Sequence, residues 1–213
     1  MALARDGVPE ATWLRAETQT SGRGRSGRHW VSQPGNLYAS TLVRIRPDDP
    51  AAPGLALVAG VALEEVASAY AKSRTLMLKW PNDLLCDWAK LAGILLERER
   101  DAVVAGFGVN LAHHPEDIDR PATSLGGVDP AVFVDDLAEA FARWLRRWRS
   151  EGLAPVVARW LERAHPLGTA LMARVGDAGF EGLFDGLDDT GSLRLRLADG
   201  TSRVIQAGDV FLI

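Results

Sequence analysis

A stretch of glycines and arginines near the start of the chain has residue types suited to binding an anion. Residues 22–28 read Gly-Arg-Gly-Arg-Ser-Gly-Arg, and Trp30 follows two residues later. Glycine lets the backbone approach a ligand closely, and arginine supplies a permanent charge with a planar set of donors. We expect a loop that closes over phosphate or carboxylate oxygens, with Trp30 covering the bound group. A solvated basic loop and a segment that binds RNA loosely are the alternatives.

Two later stretches each place a lysine beside an apolar run. Residues 76–83 read Leu-Met-Leu-Lys-Trp-Pro-Asn-Asp, which predicts a buried strand followed by a turn that gathers Lys79, Asn82 and Asp83. Turn chemistry explains Asn and Asp at such a place, but it does not explain the lysine. Residues 90–97 read Lys-Leu-Ala-Gly-Ile-Leu-Leu-Glu, a second strand with a lysine at its start.

The second lysine, Lys90, either caps its strand into solvent or joins the anion site, and Gly93 permits close approach of a ligand or a neighbouring strand. An anion site with several cations, two of them lysines at strand ends, stabilises charge that develops at a phosphate. The residues alone therefore predict an anion site and leave the reaction open.

Taken together, these stretches resemble the biotin protein ligases, which are biotin–acetyl-CoA-carboxylase ligases. The loop matches the family signature GRGRxGRxW, the second stretch matches KWPND, and the third matches KLAGIL, in the same order and with similar spacing. Residues 106–111 match the G-x-G-x-N segment of the family, and residues 122–125 read Ala-Thr-Ser-Leu. The resemblance covers the chain from about Glu17 to its C-terminus.

The resemblance implies a two-step reaction that uses ATP, Mg²⁺ and biotin. The biotin carboxylate attacks the α-phosphate of ATP to give biotinyl-5′-AMP and pyrophosphate. A lysine amine on the biotin carboxyl carrier domain of acetyl-CoA carboxylase or a related carboxylase then attacks the mixed anhydride. The products are biotinyl-lysine and AMP, with Mg²⁺ held largely by the phosphates.

Roles carry over from the family position by position. The implied biotin contacts are Gln19, Gly22, Arg23, Arg25, Trp30, Lys90 and Gly93. The implied ATP contacts are Arg23, Arg25, Arg28, Lys79, Trp80, Asn82 and Asn110. The expected catalytic set is Lys90, Asp83 and Arg25. Lys90 contacts the biotin carboxyl and neutralises the α-phosphate, Arg25 holds carboxylate or phosphate, and Asp83 accepts a proton from the acceptor amine or orients it.

Two other functions share part of this pattern. Lipoate ligases and octanoyltransferases share the fold, the chemistry and a corresponding lysine, whereas the loop signature and the KWPND motif favour biotin. A biotin- or nucleic-acid-binding module that has lost catalysis is the non-enzyme alternative. The family usually has an earlier strand with a Ser-Thr-Asn-like segment that contacts biotin, and the chain as printed begins after it, so we expect weakened biotin affinity and no DNA-binding repressor role.

Composition limits the remaining possibilities. The chain has 213 residues with 47% apolar residues, a formal net charge of −4 and one cysteine, Cys86. These values fit one ordinary domain with a small appendage, argue against binding nucleic acid over the whole surface, and exclude an internal disulfide. We expect a cytoplasmic enzyme, a monomer or homodimer, with no DNA partner, no membrane span and no signal peptide. Residues 113–117 contain two adjacent histidines and two acids, but without helical spacing we predict no metal site there.

The pattern of elements predicts an α+β fold. Strands at residues 13–16, 37–44, 75–80, 91–97 and 102–109, with a helix at 55–71, indicate a mixed sheet without regular βαβ alternation. Asp129 and Pro130 open a further helix, and another spans about 154–164. The resemblance implies the class II aminoacyl-tRNA synthetase and biotin ligase type of fold for residues 1–166. Five short strands in residues 167–213 predict a small barrel with a hairpin at Asp199-Gly200, and the resemblance implies that this barrel is SH3-like.

Overall fold

The computed structural model describes residues 1–116 and 121–213. Its larger sheet has six strands in the order β1-β2-β6-β5-β4-β3, and every pairing between neighbouring strands is antiparallel. The strands are β1 (Trp13–Ala16), β2 (Leu37–Arg44), β3 (Leu76–Lys79), β4 (Asp83–Cys86), β5 (Ala89–Glu99) and β6 (Ala102–Val109). The α+β class is confirmed, but the sheet is antiparallel, not mixed; among the described residues, parallel pairing occurs only at isolated bridges.

Within the part of the chain that the structure describes, four α-helices accompany this sheet. They are α1 (Ala2–Arg5), α2 (Leu55–Tyr70), α3 (Pro130–Glu151) and α4 (Ala154–Glu162). The predicted start of α3 is confirmed, because the Asp129 side chain caps the helix by accepting a hydrogen bond from the Ala131 amide at 2.8 Å. The apolar side of α3, which includes Phe133, Leu137 and Trp148, is buried against the core.

The two faces of the sheet serve different purposes because side chains alternate along each strand. On β6, Ala105, Phe107 and Val109 are buried in the helix-covered core, while Gly106 and Gly108 lie between them and face the other way. The second face is therefore left with small residues at its centre. This face forms the floor of the cleft described below.

The core helix α2 is unusually apolar. Within the described residues, the segment Ala52–Tyr70 is long and apolar enough to cross a membrane by length and composition alone. Burial accounts for the composition, since 67% of the most apolar window lies inside the protein, as in a helix surrounded by the core of a folded domain.

A second sheet occupies the C-terminal part of the chain. It has five antiparallel strands in the order β10-β9-β8-β7-β11. They are β7 (Ala170–Val175), β8 (Ala178–Leu187), β9 (Leu193–Arg196), β10 (Ser202–Ile205) and β11 (Asp209–Leu212). All five predicted strands are present, and the hairpin at Asp199-Gly200 joins β9 to β10. The predicted domain boundary between residues 166 and 167 stays a prediction.

The chain passes from one sheet to the other through a tightly packed junction. The Leu78 amide donates to the Arg163 carbonyl at 2.6 Å, so the segment after α4 continues along β3. His165 follows, 1% exposed, with its ring 4.4 Å from that of Phe184. Neither ring nitrogen of His165 has a hydrogen-bond partner among the described residues.

The buried imidazole of His165 predicts a pH-dependent stability. Burial lowers the pKa of His165 from 6.5 to about 4; the backbone of Pro166 acts in the opposite direction, and repulsion from Lys79 adds to the lowering. The pKa of His165 is lower in the folded state than in the unfolded state. The stability that depends on neutral His165 is therefore complete above pH 6.5 and is lost as the pH falls from 6.5 towards 4. We expect the free energy of unfolding to fall by about 1.4 kcal/mol per pH unit, or roughly 3 kcal/mol in all. Urea unfolding between about pH 7.5 and 4.5 measures this change.

A matched pair of variants isolates this effect. His165→Leu should flatten the pH dependence of the free energy of unfolding in that range, whereas His113→Leu, at an exposed histidine, should leave it as in the wild type. Equal slopes for the wild type and His165→Leu would show that other groups cause the acid sensitivity.

Candidate functional site

A cleft of about 820 Å³ opens on the face of the six-stranded sheet that α2 and α3 leave uncovered, with α1 at its edge. Its size lies within the range of pockets that hold small molecules, about 300–1,000 Å³. The cleft gathers all but two of the residues predicted from sequence. Those that line it are Gln19, Arg23, Arg25, Arg28, Trp30, Lys79, Asn82, Asp83, Lys90, Gly93 and Asn110.

At the inner end of the cleft a carboxylate lies between two ammonium groups. Asp83 Oδ1 is 2.5 Å from Lys90 Nζ, and Asp83 Oδ2 is 3.5 Å from Lys79 Nζ. The three side chains are only 8–17% exposed. The turn between β3 and β4 brings Lys79 opposite Asp83, as predicted from the Pro-Asn-Asp sequence. Such a cluster carries a net positive charge in a poorly solvated place, which suits a phosphate or carboxylate ligand.

Lys90 reaches this cluster because β5 contains a bulge. Lys90 and Gly93 are three residues apart, so in a regular strand their side chains would face opposite sides of the sheet. Opposite β4 the register shifts, with Leu84 paired to Ala92 and Leu85 paired to Lys90. A Cβ built on Gly93 would lie 3.4 Å from Lys90 Nζ, so both residues face the cleft. The bulge therefore directs the lysine towards the site.

The glycine–arginine loop folds over the cleft as a short hairpin. The Gly24 amide donates to the Arg28 carbonyl at 2.7 Å, and the Trp30 amide donates to the Gly22 carbonyl at 3.0 Å. Gly22 is buried and does not line the cleft, because the backbone of Trp30 passes directly against it. A Cβ at Gly22 would lie 2.4 Å from the Trp30 carbonyl oxygen. Gly22 was predicted to contact biotin; in this structure its place is explained by loop closure.

The arginines of the loop are held by acids from distant parts of the chain. Arg28 is 2.8 Å from Asp209, Arg25 is 3.8 Å from the same carboxylate, and Arg23 pairs with Glu97 at 3.0 Å. Asp209 begins β11 of the C-terminal sheet, so that sheet contributes a side chain to the cleft. Sequence reasoning missed Asp209 because nothing local distinguishes it from other acids in strands.

Trp30 lies directly on two glycines of the cleft floor. A Cβ on Gly108 would come within 2.7 Å of the indole ring, and one on Gly93 within 3.2 Å. Lys90 Nζ is 5.5 Å from the ring centroid, a cation–π distance. The buried indole nitrogen has no hydrogen-bond partner among the described residues. The glycines at these two positions are thus required for the ring to approach the sheet.

Three amide side chains fix the geometry around the cluster. Asn82 Nδ2 donates to the Ile94 carbonyl at 2.5 Å, and its Oδ1 accepts from Arg25 at 3.4 Å. Asn110 Nδ2 donates to the Thr123 carbonyl at 3.1 Å. Gln19 Oε1 accepts a hydrogen bond from the Ser32 hydroxyl at 3.0 Å. Asn82 and Asn110 therefore organise backbone around the site as well as line it.

Trp80, His113 and His114 do not line the cleft, although Pro115 of the histidine segment does. Trp80 is 4% exposed, and its indole nitrogen donates to the Gly191 carbonyl at 3.1 Å, so it joins the two sheets. This position does not support the prediction that Trp80 contacts ATP. His113 and His114 are exposed, and Asp117 lies outside the described residues. The described part of the chain contains no group of three His, Cys, Asp or Glu that could hold a metal.

Comparison with known proteins gives matches to one family. Residues 8–111 match the biotin/lipoate A/B protein ligase family, and residues 172–213 match the biotin protein ligase C-terminal domain. The chain is 41% identical to a biotin–acetyl-CoA-carboxylase ligase of Paracoccus denitrificans, covering 96% of this chain and 92% of that protein. It is 34% identical to the bifunctional ligase/repressor BirA of Bacillus subtilis, covering 96% of this chain and 67% of that protein.

Solved structures give the same result. The biotin protein ligase of Aquifex aeolicus in complex with biotin and ATP superposes with a TM-score of 0.89 at 26% identity, covering 100% of this chain and 94% of that one. The Leishmania major biotin protein ligase in complex with biotinyl-5-AMP superposes with a TM-score of 0.59 at 26% identity, covering 92% and 88% of the two chains. With both family domains present and high identity over nearly its whole length, this chain belongs to the biotin protein ligase family.

Proposed function

We propose that this protein attaches biotin to a lysine of a biotin carboxyl carrier domain, using ATP and passing through biotinyl-5′-AMP. The observation that carries the proposal is the cluster of Lys90, Asp83 and Lys79 beneath the arginine loop. The relatives support the choice of substrates, since the Aquifex ligase was solved with biotin and ATP and the Leishmania ligase with biotinyl-5-AMP.

In the first step the biotin carboxylate attacks the α-phosphorus of ATP, and the bond to pyrophosphate breaks. Negative charge accumulates on the α-phosphate oxygens and on the leaving group. Lys90, at the cleft floor, stabilises the α-phosphate, while Arg25 and Arg28 of the loop stabilise the pyrophosphate. To do so, both arginines exchange Asp209 for phosphate oxygens. Mg²⁺ would accompany the triphosphate and neutralise part of its charge.

In the second step the acceptor lysine amine attacks the acyl carbon of the adenylate, and AMP leaves. The amine must lose a proton and approach in one orientation. Asp83 is the carboxylate placed for this role. Two ammonium groups hold the Asp83 carboxylate, so we expect its main contribution to be orienting the amine through a hydrogen bond, while the proton released from the amine passes to the leaving AMP or to solvent. Trp30 and the closed loop protect the anhydride from water.

The direct test uses purified protein, biotin, ATP, Mg²⁺ and a carrier domain, followed by mass spectrometry of the carrier domain. We expect one added biotinyl group on a single lysine, dependent on ATP. Addition of a lipoyl or octanoyl group in parallel reactions, without biotinylation, would instead assign the related acyl transferase function. No modification with any acid would favour a non-catalytic biotin-binding relative.

Gly106 lies on the floor of the cleft, and a substitution there should weaken biotin binding without weakening the fold. A Cβ at Gly106 would meet only ordinary contacts at 3.6 Å within the protein, yet this residue lines the cleft. Gly106→Ala should leave the free energy of unfolding unchanged or slightly higher, because alanine reduces backbone entropy in the unfolded chain. The added methyl group should raise the KM for biotin about 10–100-fold by overpacking the bound ligand. Steady-state kinetics and thermal unfolding measure the two effects, and an unchanged KM would place biotin elsewhere.

The proposal also concerns the protein partner, the cellular location and the oligomeric state. The carrier domain of acetyl-CoA carboxylase or a related carboxylase is the proposed partner, consistent with the name of the Paracoccus relative. The cytoplasmic location, the monomeric or dimeric state and the lack of a DNA partner stay predictions.

A further inference from the structure

The backbone of Lys90 is held by a segment outside the named strands. The Lys90 amide donates to the Pro121 carbonyl at 2.8 Å, and the Thr123 amide donates back to the Lys90 carbonyl at 3.0 Å. Asn110 Nδ2 adds a hydrogen bond at 3.4 Å to the same Lys90 carbonyl. Residues 121–125 therefore hold both polar backbone groups of the lysine at the point where the bulge turns its side chain into the cleft.

In addition to the hydrogen bond from Asn110 to the Thr123 carbonyl, the guanidinium of Arg74 fastens this segment to the rest of the protein. Arg74 Nη1 donates to the Ser124 carbonyl at 2.7 Å, and Arg74 Nη2 donates to Thr123 Oγ1 at 2.7 Å. Arg74 Nε donates to Asp87 at 2.8 Å, in the hairpin turn between β4 and β5. That hydrogen bond lowers the pKa of the Asp87 carboxyl, so the ion pair stays formed at neutral pH. One side chain thus joins the segment to the turn that precedes Lys90.

We propose that Arg74 is a positioning residue for Lys90: its guanidinium locks residues 121–125 against the Lys90 backbone and so fixes the lysine in the cleft. The kinetic consequence rests on the function proposed above, whereas the structural consequence does not. Arg74 touches neither the cleft nor the reacting atoms. Its planar group makes three directed hydrogen bonds that an ammonium group could not reproduce.

The experiment compares wild type, Arg74→Gln and Arg74→Lys by hydrogen exchange and by adenylation kinetics. Amides of Lys90 and Thr123 should exchange at least about 10-fold faster in both variants, while core amides of α2 keep wild-type protection. The kcat for biotin-dependent ATP–pyrophosphate exchange should fall about 10–100-fold, because a displacement of about 1 Å is enough for such a loss. The KM values for biotin and ATP should change less than about 3-fold.

Asp87→Asn is the matched control, since it weakens the contact to the hairpin turn and leaves the two hydrogen bonds to Thr123 and Ser124. We expect this variant to keep near wild-type kcat and near wild-type protection at Lys90. Equal losses in Asp87→Asn and Arg74→Gln, or wild-type kcat in Arg74→Lys, would overturn the proposal. If the wild type itself lacked exchange activity, the proposed function would fail, but the amide measurements would still decide the role of Arg74.

Discussion

Replacing Lys90 by methionine should lower the rate of adenylate formation by about 10²–10³-fold. The expectation follows from the position of Lys90 Nζ on the cleft floor, over the Trp30 ring and beside Asp83. Loss of one charged donor from a poorly solvated site removes stabilisation that water cannot replace. Methionine retains most of the chain volume, so the floor stays filled. Single-turnover formation of biotinyl-AMP from biotin and ATP measures the effect.

Lys72→Met provides the control for charge. Lys72 is an exposed lysine, so this variant has the same net charge and composition as Lys90→Met. It should form adenylate at the wild-type rate. Circular dichroism should show that both variants are folded at the assay temperature. In Lys90→Met, Asp83 keeps its contact with Lys79 at 3.5 Å, so we expect the fold to tolerate the change. Wild-type adenylation by Lys90→Met would remove this lysine from the mechanism.

Asp83→Asn should affect stability and catalysis together. The substitution leaves the Lys79 and Lys90 ammonium groups without the carboxylate between them, and both are largely buried. We expect a loss of about 2–3 kcal/mol in the free energy of unfolding, below the 3–5 kcal/mol of a fully buried pair because some exposure remains. Transfer from preformed biotinyl-AMP to the carrier lysine should slow by about 10²-fold, because the amine loses the hydrogen bond that orients it.

The two steps of the reaction distinguish the role of Asp83 from that of Lys90. Asp83→Asn should retain a larger share of adenylate formation than of transfer, whereas Lys90→Met should lose adenylate formation first. Asp101→Asn is a suitable control, because Asp101 makes an exposed ion pair with Arg44 on the same sheet. A variant of Asp83 that transfers biotin normally once adenylate is supplied would exclude the proposed orientation of the amine.

Local sequence predicted those parts of the site that local chemistry builds. The turn after β3 follows from Pro-Asn-Asp, and it does bring Lys79 opposite Asp83. The cap at Asp129 and the hairpin at Asp199-Gly200 are likewise local, and both are present. Most strand and helix positions could be predicted because apolar periodicity records which side of each element is buried.

The features that escaped prediction depend on contacts between distant residues. The bulge in β5 arises from pairing with β4, and alternation along β5 alone would have turned Lys90 away from Gly93. Asp209 approaches Arg28 only because the C-terminal sheet lies beside the loop. Trp80 belongs to a motif with site residues, yet its ring packs at the junction and contacts Gly191. Strand direction also requires pairing partners, which explains why the sheet was predicted as mixed.

Biotin-dependent exchange of pyrophosphate into ATP tests the central claim most directly, because it reports adenylation without any carrier protein. Lipoate and octanoate serve as parallel acids, and Lys90→Met serves as the inactive reference. We predict exchange with biotin alone, absent in the variant. Exchange with another acid in place of biotin, or none with any acid, would contradict the assignment of this cleft as a biotin-adenylating site.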